Sequence, residues 1–116
     1  MITDCHTHAW DYWPYEPQVP NPESHGTVEK LLWEMDQNGV DKAVIVCARL
    51  EHNQHNNDYI AQSVKKYPER LIQFADVDCS WTATYHAPGA ADRLAEAAEK
   101  YQLKGYTQYL TDDYEW

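Results

Sequence analysis

Apolar and polar positions alternate along the chain with two different periods. Short, nearly continuous apolar runs predict strands, and longer segments whose apolar residues recur every three to four positions predict helices. The run Ala-Val-Ile-Val-Cys-Ala at residues 43–48 is typical of a strand that is buried on both faces of a parallel sheet. Strands are predicted over residues 2–7, 42–48, 71–78 and 105–110, and helices over residues 27–38, 57–67 and 90–101.

The first predicted helix has the clearest pattern. Thr27 can cap its N-terminus, and Gly39 is a natural residue to follow its C-terminus. Between them one buried stripe is predicted, formed by Val28, Leu31, Leu32 and Met35.

The segment 9–26 before this helix is rich in proline and aromatic residues, which excludes helix and central strand. Connections of this length are usually functional. Its aromatic part, residues 10–15, contains Trp13 and directly follows a pair of histidines, so we expect it to form the wall of a pocket.

The alternation of strands and helices implies parallel strands joined by right-handed crossovers. Two closures are compatible with it, an open doubly wound sheet or part of a (β/α)8 barrel. In both, ligands bind at the carboxyl ends of the strands. Side chains with binding chemistry fall near those ends: His6, His8, Arg49, Asp76, Asp78 and Gln108.

Two histidines stand at the end of the first predicted strand, in the run Asp-Cys-His-Thr-His at residues 4–8. Strand alternation places His6 and His8 on one face with Asp4 behind them. Neutral imidazole is a good ligand for zinc, iron or manganese, so both are candidate metal ligands. Asp4 either orients an imidazole or fixes the backbone at the strand end. The histidines at positions 25, 52, 55 and 86 are interpreted as solvated loop residues.

Composition narrows the range of partners. The chain has 19 acidic and 9 basic residues, a net charge of −10 at pH 7. Nucleic acid and anionic membrane surfaces both select basic patches, so neither is expected as a partner. No apolar run approaches the roughly 18 residues of a membrane span, and no signal peptide is recognisable. The three cysteines are widely spaced and odd in number, which favours reduced thiols in a cytoplasmic protein.

Five segments, taken in order, resemble the amidohydrolase-related family of metal-dependent TIM-barrel hydrolases and decarboxylases. They are Ile-Thr-Asp-Cys-His-Thr-His (2–8), the stretches 31–46, 56–60 and 66–78, and Leu-Lys-Gly-Tyr-Thr-Gln-Tyr-Leu (103–110). The resemblance implies that His6 and His8 hold one divalent ion, zinc or manganese, whose other ligands follow later strands. Because the chain stops after the fourth predicted strand, residues 1–116 are expected to form one partial domain, the N-terminal half of a (β/α)8 barrel.

This resemblance implies metal-dependent hydrolysis of an amide, ester or lactone in a small-molecule substrate, with the chain inactive on its own. Two alternatives stay open: nonoxidative decarboxylation on the same fold, and a non-catalytic half-barrel that associates with a second copy or with a missing C-terminal half. Arg49 either pairs with a substrate carboxylate or forms a surface salt bridge. Gln108 is predicted to be the fourth-strand residue that faces the barrel mouth, whereas Lys104 belongs to the preceding turn.

Overall fold

The computed structural model describes residues 1–109, in which four strands alternate with helices. The strands are β1 (Thr3–Thr7), β2 (Lys42–Val46), β3 (Leu71–Asp76) and β4 (Gly105–Thr107). The helices are α1 (Pro22–His25), α2 (Val28–Asn38), α3 (Asn56–Lys66) and α4 (Ala90–Tyr101), and a 3₁₀ turn spans Glu51–Asn53. The predicted order is confirmed, and the predicted end of the fourth strand at residue 110 lies outside the described residues. None of the helices within residues 1–109 is long and apolar enough to cross a membrane.

The order of the strands decides between the two closures. All pairs are parallel, and the sheet runs β1-β2-β3-β4 without a reversal. A doubly wound sheet has a switch point at which the strand order reverses, whereas a (β/α)8 barrel places each strand beside the previous one. The described residues therefore have the arrangement of four successive strands of a barrel.

The hydrophobic core lies between the sheet and its helices. Its members alternate along β2 and come also from α2, α3 and β3: Val28, Met35, Ala43, Ile45, Cys47, Ile60 and Leu71. Leu31 and Leu32 are half-buried against this core, which confirms the predicted stripe of α2. Because neighbouring residues of a strand face opposite sides, Val44 and Val46 face away from the helices. We call that side of the sheet the inner side.

Both ends of α2 are as predicted. The hydroxyl oxygen of Thr27 accepts a hydrogen bond from the backbone N–H of Lys30 (3.3 Å), which satisfies one free donor of the first turn. Gly39 has a left-handed backbone conformation (φ 66°) and donates its N–H to the carbonyl oxygen of Met35. A residue with a Cβ would be strained in that conformation, which explains why glycine ends this helix.

Two predictions about the bounds of elements are wrong. The segment 9–26 contains the one-turn helix α1, whose first turn holds Pro22; proline is tolerated there because no intrahelical N–H is needed. In addition, β2 and β3 end two residues earlier than predicted, and β4 ends at Thr107 although residues 108 and 109 were predicted to continue it. The backbone N–H of Ala48 donates to the side-chain oxygen of Asn56 (3.0 Å) and not to a neighbouring strand. Asp78 has a positive φ of 50°, which is not a strand conformation. Neither residue therefore continues its strand.

Candidate functional site

His6 and His8 lie at the carboxyl end of β1, just where its pairing is irregular. The register against β2 shifts between Asp4 and Thr7, so the strand bulges there. Thr7 pairs with Ile45, a member of the helix-facing core. His6 and His8 therefore face the inner side. Asp4 accepts the backbone N–H of His6 through Oδ1 (3.0 Å), so of its two predicted roles the structure shows the one that fixes the backbone.

The two imidazoles bring a pair of nitrogen atoms together. His6 Nε2 and His8 Nε2 are 3.3 Å apart. A tetrahedral zinc ion bound at about 2.0–2.1 Å by two imidazoles separates their nitrogens by about 3.3–3.4 Å. The observed spacing therefore fits two ligands of one ion. Without an ion, the same spacing permits a single N–H···N hydrogen bond between the rings.

His8 is held in the tautomer that a metal ligand needs. Its Nδ1–H donates to the carbonyl oxygen of Val46 (2.7 Å), because a carbonyl oxygen can only accept. In the neutral ring the lone pair then lies on Nε2, the atom that faces His6. Metal-binding histidines are commonly fixed in this way by a backbone carbonyl or a carboxylate. The end of β2 thus supports a candidate ligand that belongs to β1.

Aromatic rings cover His8 on one side. The Trp10 ring stacks on the His8 ring with centroids 5.3 Å apart, and Trp13 and Tyr15 meet Trp10 edge to face. Beside them is a hollow of about 300 Å³, which is lined by His8, Trp10, Trp13, His25 and residues of α2. The structure thus places Trp13 in the wall of a hollow next to His8. Its Nε1–H is buried and has no hydrogen-bond partner among the described residues.

Arg49 forms an ion pair with the buried carboxylate of Asp76. Arg49 Nη2 donates to Asp76 Oδ1 (3.2 Å), and the backbone N–H of Arg49 donates to Oδ2 (2.9 Å). Trp81 Nε1–H also donates to Oδ2 (2.6 Å). The Asp76 side chain is 0% exposed and the Arg49 side chain 30%. Arg49 thus forms a salt bridge, but with a buried carboxylate and not at the surface as predicted, and its Nε is buried without a partner within residues 1–109.

Asp78 joins the loop after β3 to α4. Arg93 donates to its carboxylate from Nε (2.8 Å to Oδ1) and from Nη2 (2.8 Å to Oδ2). The hydroxyl of Thr84 donates to the same Oδ1 (2.6 Å). The guanidinium of Arg93 holds the pKa of Asp78 below its usual range. This ion pair fixes the start of α4 beside the carboxyl end of β3.

Gln108, which was predicted to face the barrel mouth, lies on the helix side of the sheet and not on the inner side. Gly105 pairs with Phe74, and a Cβ on Gly105 would meet the Phe74 ring at 2.4 Å, so both lie on one face of the sheet. That face is the inner one, because Phe74 alternates with the core residues of β3. Gln108 lies instead beside Ala91 and Leu94 of α4. The face of so short a strand depends on its neighbour's register, which the sequence of the strand does not contain.

Comparison with known proteins identifies the family. The family model described as amidohydrolase matches residues 3–112. The chain belongs to the amidohydrolase family. One similar solved structure is a probable 2-pyrone-4,6-dicarboxylic acid hydrolase from Acinetobacter baumannii with citric acid bound; it is 19% identical, with a TM-score of 0.52. The match covers 90% of this chain and 35% of that one, and at this identity it shows the fold alone. A search of curated proteins found no match.

Two buried asparagines of this amidohydrolase chain were missed by the sequence analysis. Asn56 donates from Nδ2 to the carbonyl oxygen of Ala9 (2.9 Å) and accepts the N–H of Ala48 (3.0 Å). Asn57 donates to the carbonyl oxygen of Asp76 and accepts its N–H, both at 2.9 Å. Their place at the start of a helix that follows a polar loop was the available signal. Asparagine is mostly exposed, so its type gave no sign of burial.

The remaining histidines add no third ligand to the His6–His8 pair. His55 Nε2 lies 2.5 Å from Oδ2 of Asp11, and His25 meets the Trp13 ring edge to face. Within residues 1–109, no group of three or more His, Cys, Asp or Glu side chains is arranged to hold a metal ion. The described part of this amidohydrolase chain therefore brings together two candidate ligands.

Proposed function

We propose that this amidohydrolase chain supplies two metal ligands and part of the substrate wall of a metal-dependent hydrolase that acts on an amide, ester or lactone. The observation that carries the proposal is the 3.3 Å spacing of Nε2 of His6 and Nε2 of His8. The hydrogen bond from His8 Nδ1 to Val46 supports it, because it leaves the lone pair on the nitrogen that would bind the ion. Membership of the family adds support, since its members are generally metal-dependent.

His6 and His8 would hold one zinc or manganese ion through their Nε2 atoms. When bound, such an ion activates a water molecule and polarises the substrate carbonyl group. Two imidazoles leave much of the coordination sphere to water or to further ligands, since about four ligands are usual for tightly bound zinc. We therefore expect this chain to bind a divalent ion weakly and reversibly.

Trp13 and Arg49 are proposed to contact the substrate, a small molecule. The Trp13 ring lies in the aromatic wall and lines the hollow beside His8, where it can pack against an apolar part of the substrate. The Arg49 side chain stays 30% exposed after it has paired with Asp76, and a guanidinium suits a carboxylate. Gln108 is left out of this proposal because it lies beside α4.

Metal binding is tested by calorimetry with zinc at about pH 7.5, where imidazole is largely neutral. We expect weak binding that a chelator reverses, and its loss in His6→Ala and in His8→Ala. His52→Ala is the matched control, because His52 is exposed and lies in the 3₁₀ turn, outside the pair. Equal zinc affinity in the wild type and in His6→Ala would contradict the proposed metal role.

Nonoxidative decarboxylation is a second candidate, because the aromatic wall of Trp10, Trp13 and Tyr15 also suits an aromatic acid. Zinc-loaded protein is offered 2-pyrone-4,6-dicarboxylate, the compound in the name of the structural neighbour, and separately an aromatic acid. Ring opening of the former supports hydrolysis, and release of carbon dioxide from the latter supports decarboxylation. The absence of both is expected of any partial barrel domain, so pairing of the edge strands β1 and β4 with a second copy is tested separately, by measuring the size of the protein in solution.

A further inference from the structure

One side chain bridges the ends of β1 and β2. Asn56 is the first residue of α3 and is 1% exposed. Its amide nitrogen donates to the carbonyl oxygen of Ala9, and its amide oxygen accepts the N–H of Ala48. Ala9 and Ala48 both lie beyond the last paired residues of the two strands. The amide thus takes the place of the ladder hydrogen bonds that β1 and β2 no longer make there.

This bridge joins the backbone just after His8 to the end of β2. Ala9 directly follows His8 in the chain, and its carbonyl oxygen is held by Asn56. On β2, the residue that accepts the ring N–H of His8 is Val46, two positions before the Ala48 that Asn56 also holds. The end of β2 therefore holds the ring of His8 directly, and through Asn56 it holds the backbone of the next residue, Ala9.

We infer that Asn56 is a positioning residue, which keeps Nε2 of His8 at the distance from Nε2 of His6 that one metal ion requires. The inference rests on the metal role proposed for these two histidines. The position requires a group that donates and accepts at once, because it satisfies a carbonyl oxygen and an N–H together. Aspartate would still accept from Ala48, but it would place a carboxylate oxygen against the carbonyl oxygen of Ala9.

Asn57 provides a matched control. It is the next residue of the same turn, is 6% exposed, and likewise bridges a backbone carbonyl oxygen and a backbone N–H. Both of those groups belong to Asp76 at the end of β3, so Asn57 does not hold β1. A general loss of stability should therefore appear in variants of either asparagine, whereas displacement of His8 should appear only in variants of Asn56.

The experiment compares the wild type with Asn56→Asp and Asn57→Asp. Zinc affinity is measured by calorimetry, and in the metal-free protein the Nδ1–H of His8 is followed by NMR through its exchange with water. We expect Asn56→Asp to weaken zinc binding ten- to a hundredfold, the usual effect of losing a group that supports a metal ligand. We also expect faster exchange of the His8 Nδ1–H, because its bond to Val46 loosens. Asn57→Asp should keep the zinc affinity and the His8 signal of the wild type.

The NMR measurement separates this inference from the metal proposal. A wild type that binds no zinc refutes the metal role, while the His8 signal still reports whether Asn56 holds the ring. A folded Asn56→Asp protein with wild-type His8 exchange and wild-type zinc affinity overturns the inference. If Asn56→Asp does not fold, Asn56→Gln replaces it: the donor and the acceptor remain but are moved by one methylene, and the same two changes are expected.

Discussion

Replacing Arg49 with methionine tests whether its ion pair with Asp76 stabilises the carboxyl end of the sheet. Methionine keeps an apolar stem and removes the guanidinium. Asp76 Oδ1 then loses the Nη2 donor at 3.2 Å, whereas Oδ2 keeps the backbone N–H of position 49 and the Nε1–H of Trp81. Because the Asp76 side chain is 0% exposed, the carboxylate stays buried without its counter-ion.

The expected loss of unfolding free energy follows from the partners that the Asp76 carboxylate loses and from those that it keeps. Removing one partner of a fully buried ion pair costs about 3–5 kcal/mol of the free energy of unfolding. Two features of the structure lower that cost. The Arg49 side chain is 30% exposed, so water already screens the pair, and two N–H donors to Oδ2 remain in the variant. We therefore expect Arg49→Met to lower the free energy of unfolding by about 2–3 kcal/mol.

Urea unfolding followed by tryptophan fluorescence measures this free energy, and an unchanged slope shows that the unfolded state is comparable. Lys30→Met is the control, since Lys30 pairs with Glu34 one helical turn away and both side chains are about half exposed. Such exposed pairs contribute about 0.3–0.5 kcal/mol. If Arg49→Met costs no more than Lys30→Met, the reasoning is refuted, and Arg49 is better regarded as a cation available to a substrate carboxylate.

Two further predictions concern titrating groups. Arg93 holds the pKa of Asp78 below its usual range, so their pairing stabilises the fold above the pKa of an unfolded aspartate, about 3.9, and this stabilisation is lost as the pH falls through the lower folded value. The difference in unfolding free energy between the wild type and Arg93→Met should therefore shrink in acid below about pH 4, and a constant difference would be evidence against the pairing. Burial raises the pKa of Cys47 and of Cys79 to about 12, so iodoacetamide at about pH 8 should modify only the exposed Cys5 in the native protein, as counted by mass spectrometry. A second modification before unfolding would show that one of the buried thiols is accessible.

The elements that could be predicted from the sequence are those fixed by contacts within a few residues. The helix α2 is an example, because Thr27 caps a backbone N–H three positions on and Gly39 closes the last turn. Asn56 is the opposite case, since its amide bonds to Ala9, 47 positions away. No local pattern states which backbone groups a buried amide will meet. The same holds for Gln108, because the face of β4 is set by where Gly105 meets Phe74.

The sequence predicted correctly that His6 and His8 lie on one face, although β1 is irregular between Asp4 and Thr7. The bulge between Asp4 and Thr7 breaks the simple alternation on which Asp4 was placed behind the imidazoles, yet the two histidines remain two positions apart and on one face. What the spacing alone could not supply is the ring orientation of His8. That comes from the carbonyl oxygen of Val46, which accepts the ring N–H. The ends of β1 and β2 thus orient the His8 ring and bring its Nε2 to 3.3 Å from that of His6, so a test of metal binding on this chain addresses the site itself and not only the stability of the fold.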